Sequence, residues 1–132
     1  MRKFTIALLG AATLAGSAPV RAEPFWHWVR QKPAAPRTQT WRASFYGGGE
    51  YLHRRTASGE IFHPNAMTAA HRTLPFGTRL RIRFRGRSVI VRINDRGPAA
   101  WTGRSLDLSS GAARALGLMG AGVGPVAVSR LN

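Results

Sequence analysis

The chain has 132 residues, room for one domain, and 20 Lys and Arg against 5 Asp and Glu, a formal charge of +15. With 44% hydrophobic residues and 15 Gly, it has the composition of a small Gly-rich globular domain rather than a disordered tail. The absence of Cys excludes disulfides, thiolate metal sites, a Cys nucleophile and a Cys-linked lipid anchor.

The first 22 residues read as a secretory signal peptide. Arg2 and Lys3 make a positive start. An uncharged run from Phe4 to Val20 follows, rich in Ala, Leu and Gly, and Val20-Arg21-Ala22 offers small residues for cleavage after Ala22. The apolar run is short for a membrane span, so cleavage is favoured over retention as an anchor. The expected location is the periplasm. What remains is still strongly basic and should meet anionic partners. Nucleic acid, anionic lipid and cell-wall polymer all qualify on charge, and export argues against nucleic acid.

Residues 23–40 read as a flexible arm, because Pro24, Pro33 and Pro36 break any helix. Trp26 and Trp28 are its large apolar pair. From Trp41 onward, over 41–132, the pattern is mostly β. Arg42–Tyr46 is a strand candidate that ends at Gly47-Gly48-Gly49. From Thr78 to Arg85, Leu80, Ile82 and Phe84 alternate with Arg79, Arg81, Arg83 and Arg85, the period of a half-buried strand. Gly86 supplies a turn, and Ser88–Ile93 returns as the second arm of a hairpin. The Arg face of that hairpin reads as solvated surface. Ser109–Leu116 reads as a short helix, capped by Ser109 or Ser110 and ended by Gly117. Pro125–Leu131 alternates again as a closing strand. Short strands, many glycines and one small helix point to a closed β-barrel, which leaves no strand edge open.

Five carboxylates are available for chemistry: Glu23, Glu50, Glu60, Asp95 and Asp107. Glu60 follows the small-residue loop Thr56-Ala57-Ser58-Gly59. Asp95 ends an apolar strand and enters Arg96-Gly97-Pro98; its plain role is to bond local amides. Asp107 sits between Leu106 and Leu108; its plain role is an acid near a helix start. His71 follows Met67-Thr68-Ala69-Ala70 and is either a hydrogen-bonded strand-end residue or a partner that orients a carboxylate. The remaining His residues have no metal-ligand spacing, so neither a metal nor another cofactor is expected. No Ser-His-Asp pattern and no phosphate-binding glycine loop stands out.

Four blocks, ASFYGGGEYLHRRTASGE, AMTAAHRTLPFGTRLRI, VIVRINDRGP and LDLSSGAARALG, together resemble the RlpA (rare lipoprotein A) family. They occur in the family's order across Trp41 to Leu131. The resemblance implies a six-stranded double-psi β-barrel with one or two short helices, similar to the first domain of expansins. It also implies a lytic transglycosylase that cuts peptidoglycan glycan strands stripped of stem peptides. The family's acidic residue after Ala-Ser-Gly falls on Glu60, its histidine on His71, its Asn-Asp-Arg-Gly aspartate on Asp95, and its Asp-Leu-Ser aspartate on Asp107. No lipid anchor is expected without a Cys, and a monomer is expected. The alternative is an expansin-like module that binds and loosens the wall without cutting.

A lytic transglycosylase needs an acid for the glycosidic oxygen and a base for the muramic 6-hydroxyl, and one carboxylate can serve as both. Asp95 or Asp107 is expected in that role, with Asp95 placed first and Glu60 and His71 assisting. Stripped glycan exposes a lactyl carboxylate on each muramic acid, which suits Arg forks. Arg54, Arg55, Arg72 and Arg96 adjoin the blocks and are the candidates for that contact, with Tyr46 beside them.

Overall fold

The computed structural model describes residues 16, 17, 19, 34–47 and 52–132. The expected signal peptide, most of the arm with Trp26 and Trp28, and Gly48, Gly49 and Glu50 lie outside the described residues. The chain divides after Ala34 into two units, and the second, Ala35–Asn132, carries the fold.

That unit is a closed six-stranded barrel with one helix. Its strands are β1 (Thr38–Tyr46), β2 (Thr68–Ala70), β3 (Arg79–Phe84), β4 (Arg87–Asp95), β5 (Leu106–Ser109) and β6 (Gly124–Arg130), with α1 at Ser110–Leu116. A 3-10 turn occupies Ala100–Thr102. The order around the barrel is β1-β5-β2-β4-β3-β6. Advancing every strand number by three returns the same circle read backwards. The two halves of the chain, β1–β3 and β4–β6, are therefore related by an internal pseudo-twofold. The parallel pairs β1–β5 and β4–β2 are each other's counterparts.

Alternation drives the barrel. Leu80, Ile82 and Phe84 of β3, Val91 and Ile93 of β4, Leu106 and Leu108 of β5, and Val126 and Val128 of β6 turn inward and are buried. Burying one such side chain contributes about 1.5–3 kcal/mol, so this interior is the main stabilising element. β3 and β4 are joined by the two-residue turn Arg85-Gly86, with φ of 46° and 80°. Positive φ at both positions gives the turn twist that matches the strands, and Gly86 meets it without strain. In α1, Ser109 caps the N-terminus by accepting from Ala112 N at 3.2 Å, and Gly117 ends the helix in the left-handed region. Ala112, Ala113 and Leu116 are its buried residues.

Three elements differ from the sequence expectation. β1 begins at Thr38, so Thr38–Thr40 of the expected arm is strand, paired with Ser129, Val128 and Ala127 of β6. β2 was read only as a run of small residues. β5 was read as the approach to the helix, yet Asp107 is a strand residue two positions before the cap.

Candidate functional site

The site follows from register. Ser44 of β1 pairs with Asp107 of β5, Asp107 pairs with Ala70 of β2, and Ala70 pairs with Asp95 of β4. Directly paired residues share a face. Leu106 and Leu108 point into the core, so Asp107 points away from it, and the whole row lies on the outer wall of the barrel.

Asp95 joins this row through a bulge. Ala69 pairs with Ile93, whereas Ala70 pairs with Asp95, so Asn94 is skipped. Strict alternation from Ile93 would turn Asp95 toward the interior. One extra residue reverses the phase and aims it outward. The skipped Asn94 is buried; its O accepts from Ser58 N at 3.1 Å, and its Nδ2 donates to Glu60 Oε2 at 3.3 Å.

Asp95, Asp107, Tyr46, Arg96 and Ala70 line one open pocket of about 140 Å³. Ala70 is the small floor between the two carboxylates. Asp95 Oδ1 accepts from Ala57 N and Arg96 N, each at 2.9 Å, and Oδ2 accepts from Tyr46 OH at 3.3 Å. The local amide bonding expected of Asp95 is present, and the residue still lines the pocket. Asp107 Oδ1 accepts from Ser44 Oγ, with Arg104 Nη1 at 3.5 Å. Among the described residues nothing hydrogen-bonds Asp107 Oδ2.

The other predicted residues stand around this pocket rather than in it. Glu60 makes a two-pronged pair with Arg92, at 2.5 and 2.8 Å. Those Arg92 hydrogen bonds hold its carboxyl below the ordinary glutamate value. His71 donates its backbone N–H to Asp95 O at 3.2 Å, but its ring bonds no carboxylate. Nδ1 accepts from Thr73 N and Leu74 N, both at 3.1 Å, and the ring packs on Trp41 at 5.1 Å between centroids. Burial, and then the charges of Arg72 and Arg96, lower its pKa and keep it neutral. It shapes the loop after β2, which is the plainer of its two readings.

Two arginines expected to meet glycan brace loops. Arg72 Nη1 donates to Pro98 O at 3.1 Å and Arg104 O at 2.7 Å, which pins both ends of the β4–β5 connection. Arg96 Nη1 donates to His71 O and Leu74 O, while its guanidinium lies 3.9 Å over the Phe76 ring. Arg55 Nη1 donates to Gly59 O at 2.8 Å within the loop before Glu60. Arg54 is exposed, and its O accepts from Phe62 N. Ser44, Ala70, Arg92, Asn94 and Arg104 were missed from sequence. Ser44 was within reach, since it alternates with Tyr46 in a recognised strand.

The sequence model of the family described as "Lytic transglycolase" matches residues 38–128. A protein from Nostoc sp. named "Probable endolytic peptidoglycan transglycosylase RlpA" is 61% identical over 93 residues, which cover 68% of this chain and 25% of that protein. The chain thus spans about a quarter of that relative's length. Among solved structures, the Streptomyces papain inhibitor superposes with TM-score 0.59 at 18% identity, covering 73% of this chain and 96% of that one. An expansin from Clavibacter michiganensis superposes with TM-score 0.57 at 26% identity, covering 73% and 51%. The barrel is a double-psi β-barrel, and with a match that runs from the first strand into the last, the chain belongs to the lytic transglycolase family.

Proposed function

We propose that this protein is an exported, monomeric lytic transglycosylase that cuts peptidoglycan glycan strands internally. The observation that carries the reading is the outward row Asp107–Ala70–Asp95 over one pocket in a chain of this family. The name of the Nostoc relative supports the same activity.

Asp107 is the acid and base in this mechanism. Among the described residues its Oδ2 has no donor, while Ser44 and Arg104 hold Oδ1 and fix its aim. Asp107 Oδ2 gives its proton to the glycosidic oxygen as the C1–O bond breaks. The muramic 6-hydroxyl then attacks C1 and returns its proton to Asp107 Oδ2. The product is a 1,6-anhydro ring, and no water is consumed. Asp95, fixed by two amides and Tyr46, supplies negative charge beside the positive centre at C1. This reverses the order expected from sequence, where Asp95 stood first.

Peptide-free strands are the preferred substrate in this reading, because their lactyl carboxylates make them polyanions. Arg96 borders the pocket and Arg54 is exposed on a neighbouring loop, so these two remain the candidates for that contact. Arg72 is committed to carbonyls.

The test uses the purified protein, peptide-free glycan strands and mass spectrometry. New 1,6-anhydro ends are expected, with a loss of about 100-fold or more in Asp107→Asn. Reducing ends in their place would mean a hydrolase. Binding without new ends would favour the wall-loosening reading, which the likeness to expansin supports.

A further inference from the structure

The wall of the barrel opposite the cleft carries a different surface. In the ring of six strands, the β5–β2 pair at the centre of the cleft lies across from β3–β6. On β3, Arg79, Arg81 and Arg83 face outward at alternate positions, about 6.7 Å apart along the strand. Arg83 pairs with the small residues Ala127 and Ser88, Arg81 with Ser129 and the exposed Ile90, and Arg79 with Arg92.

No described acid neutralises them. Asp95 and Asp107 are in the cleft, and Glu60 reaches Arg92 at the β4 edge of this face. Among the described residues, Arg79, Arg81 and Arg83 make no side-chain hydrogen bond or ion pair. Three guanidiniums in a line, with no counter-charge among the described residues, form a polyanion-binding surface.

We propose that this wall docks the protein on an anionic lipid surface. Two features favour lipid over a glycan or a single-stranded nucleic acid. First, no described aromatic ring is exposed on this face to stack on a sugar or base. Phe84 is turned inward and buried, Trp41 packs against the core and the His71 ring, and Tyr46, Phe76 and Trp101 belong to the cleft and its loops. Second, at the hairpin end the face leads into a hollow of about 610 Å³. Arg83, Arg85 and Arg87 rim it, and the exposed Pro125 is an apolar side chain among its lining residues that reaches the surface. Guanidiniums beside apolar lining suit a phosphate headgroup with its glycerol. The contact is peripheral, since no helix among the described residues is long and apolar enough to cross a membrane. Docked by this wall, the barrel turns its cleft away from the lipid. The proposal does not depend on the catalytic reading.

The test is cosedimentation of the whole protein with phosphatidylcholine vesicles, with and without phosphatidylglycerol. Binding is expected only with the anionic lipid and should weaken as salt rises. Each Arg near such a surface contributes about a five-fold factor, so Arg79→Gln/Arg81→Gln/Arg83→Gln together should lower partitioning about 100-fold. The single variant Arg81→Gln should lower it about five-fold, and serves if the triple variant does not fold. Cleavage of soluble glycan strands should be unchanged in both. Vesicle binding unchanged by these substitutions would overturn the proposal. So would a triple variant that keeps vesicle binding and instead loses affinity for glycan strands or for a single-stranded oligonucleotide.

Discussion

Gly111→Ala tests how tightly the start of α1 is set against the segment before β2. A β-carbon at Gly111 would lie 2.7, 2.8 and 2.9 Å from Cα, O and C of Asn65. These are backbone atoms, so no rotamer change relieves them. Gly111 N also donates to Pro64 O at 2.7 Å, and the two segments cannot part without stretching that bond. Reaching ordinary carbon contact requires a separation larger by about 0.7 Å. Overpacking of this kind costs about 1–3 kcal/mol, and loss of hydrogen-bond geometry adds about 1 kcal/mol. The better helix propensity of Ala returns about 1 kcal/mol. The net loss is about 1–3 kcal/mol, which in a domain of this size lowers Tm by roughly 5–20 °C. Thermal unfolding followed by circular dichroism measures it. A Tm equal to or above the parent's would refute the close approach, because a glycine in an open helix is stabilised by alanine. Activity should fall with stability, since Ser109 and Ser110 beside it hold Ala66 O and Tyr46 O.

Three further outcomes are expected. Ala70→Leu should fill the floor between Asp95 and Asp107 and abolish glycan cleavage, with Tm nearly unchanged because the added carbons enter the cleft and not the core. Arg72→Ala should lower kcat/KM about ten-fold by loosening the β4–β5 connection, equally on native and carboxyl-reduced glycan; a larger loss on native glycan would restore Arg72 as a carboxylate contact. His71 has its pKa lowered in the fold from an ordinary 6.5, so stability is full above that pH and is lost as pH falls toward the folded value. His71→Asn keeps an acceptor for the Thr73 and Leu74 amides, and urea midpoints across that range should lose the slope.

Legibility in the sequence followed locality. The β3–β4 hairpin was readable because its alternation and turn are contained in consecutive residues. The helix was readable from its serine cap and closing glycine. β2 was not, since Thr68–Ala70 is three residues long and becomes a strand only through partners at Asp107 and Asp95. The alternation Leu106-Asp107-Leu108 was visible, but the adjacent helix start offered a local explanation for the acid. The bulge at Asn94 has no local mark, because it exists only in the pairing with Ala69 and Ala70. The roles of Arg72 and Arg96 were hidden for the same reason. Their acceptors are carbonyls 22 to 32 positions away, and a carbonyl carries no sequence signature. The four blocks do converge in space, with Asp95 and Asp107 in one pocket and Glu60 and His71 at its margins.

The internal pseudo-twofold has a consequence for when activity can appear. Ser44 and Ala70 come from the first half of the chain, and Asp95 and Asp107 from the second. The strands of the halves interleave, so neither half can form the row without the other. Such pairings are distant in sequence and form slowly. A chain not yet folded thus holds every chemical group of the site and no working arrangement of them. Under the proposed activity, timing is written into the topology, with assembly of the interleaved strands as the step that arms the site.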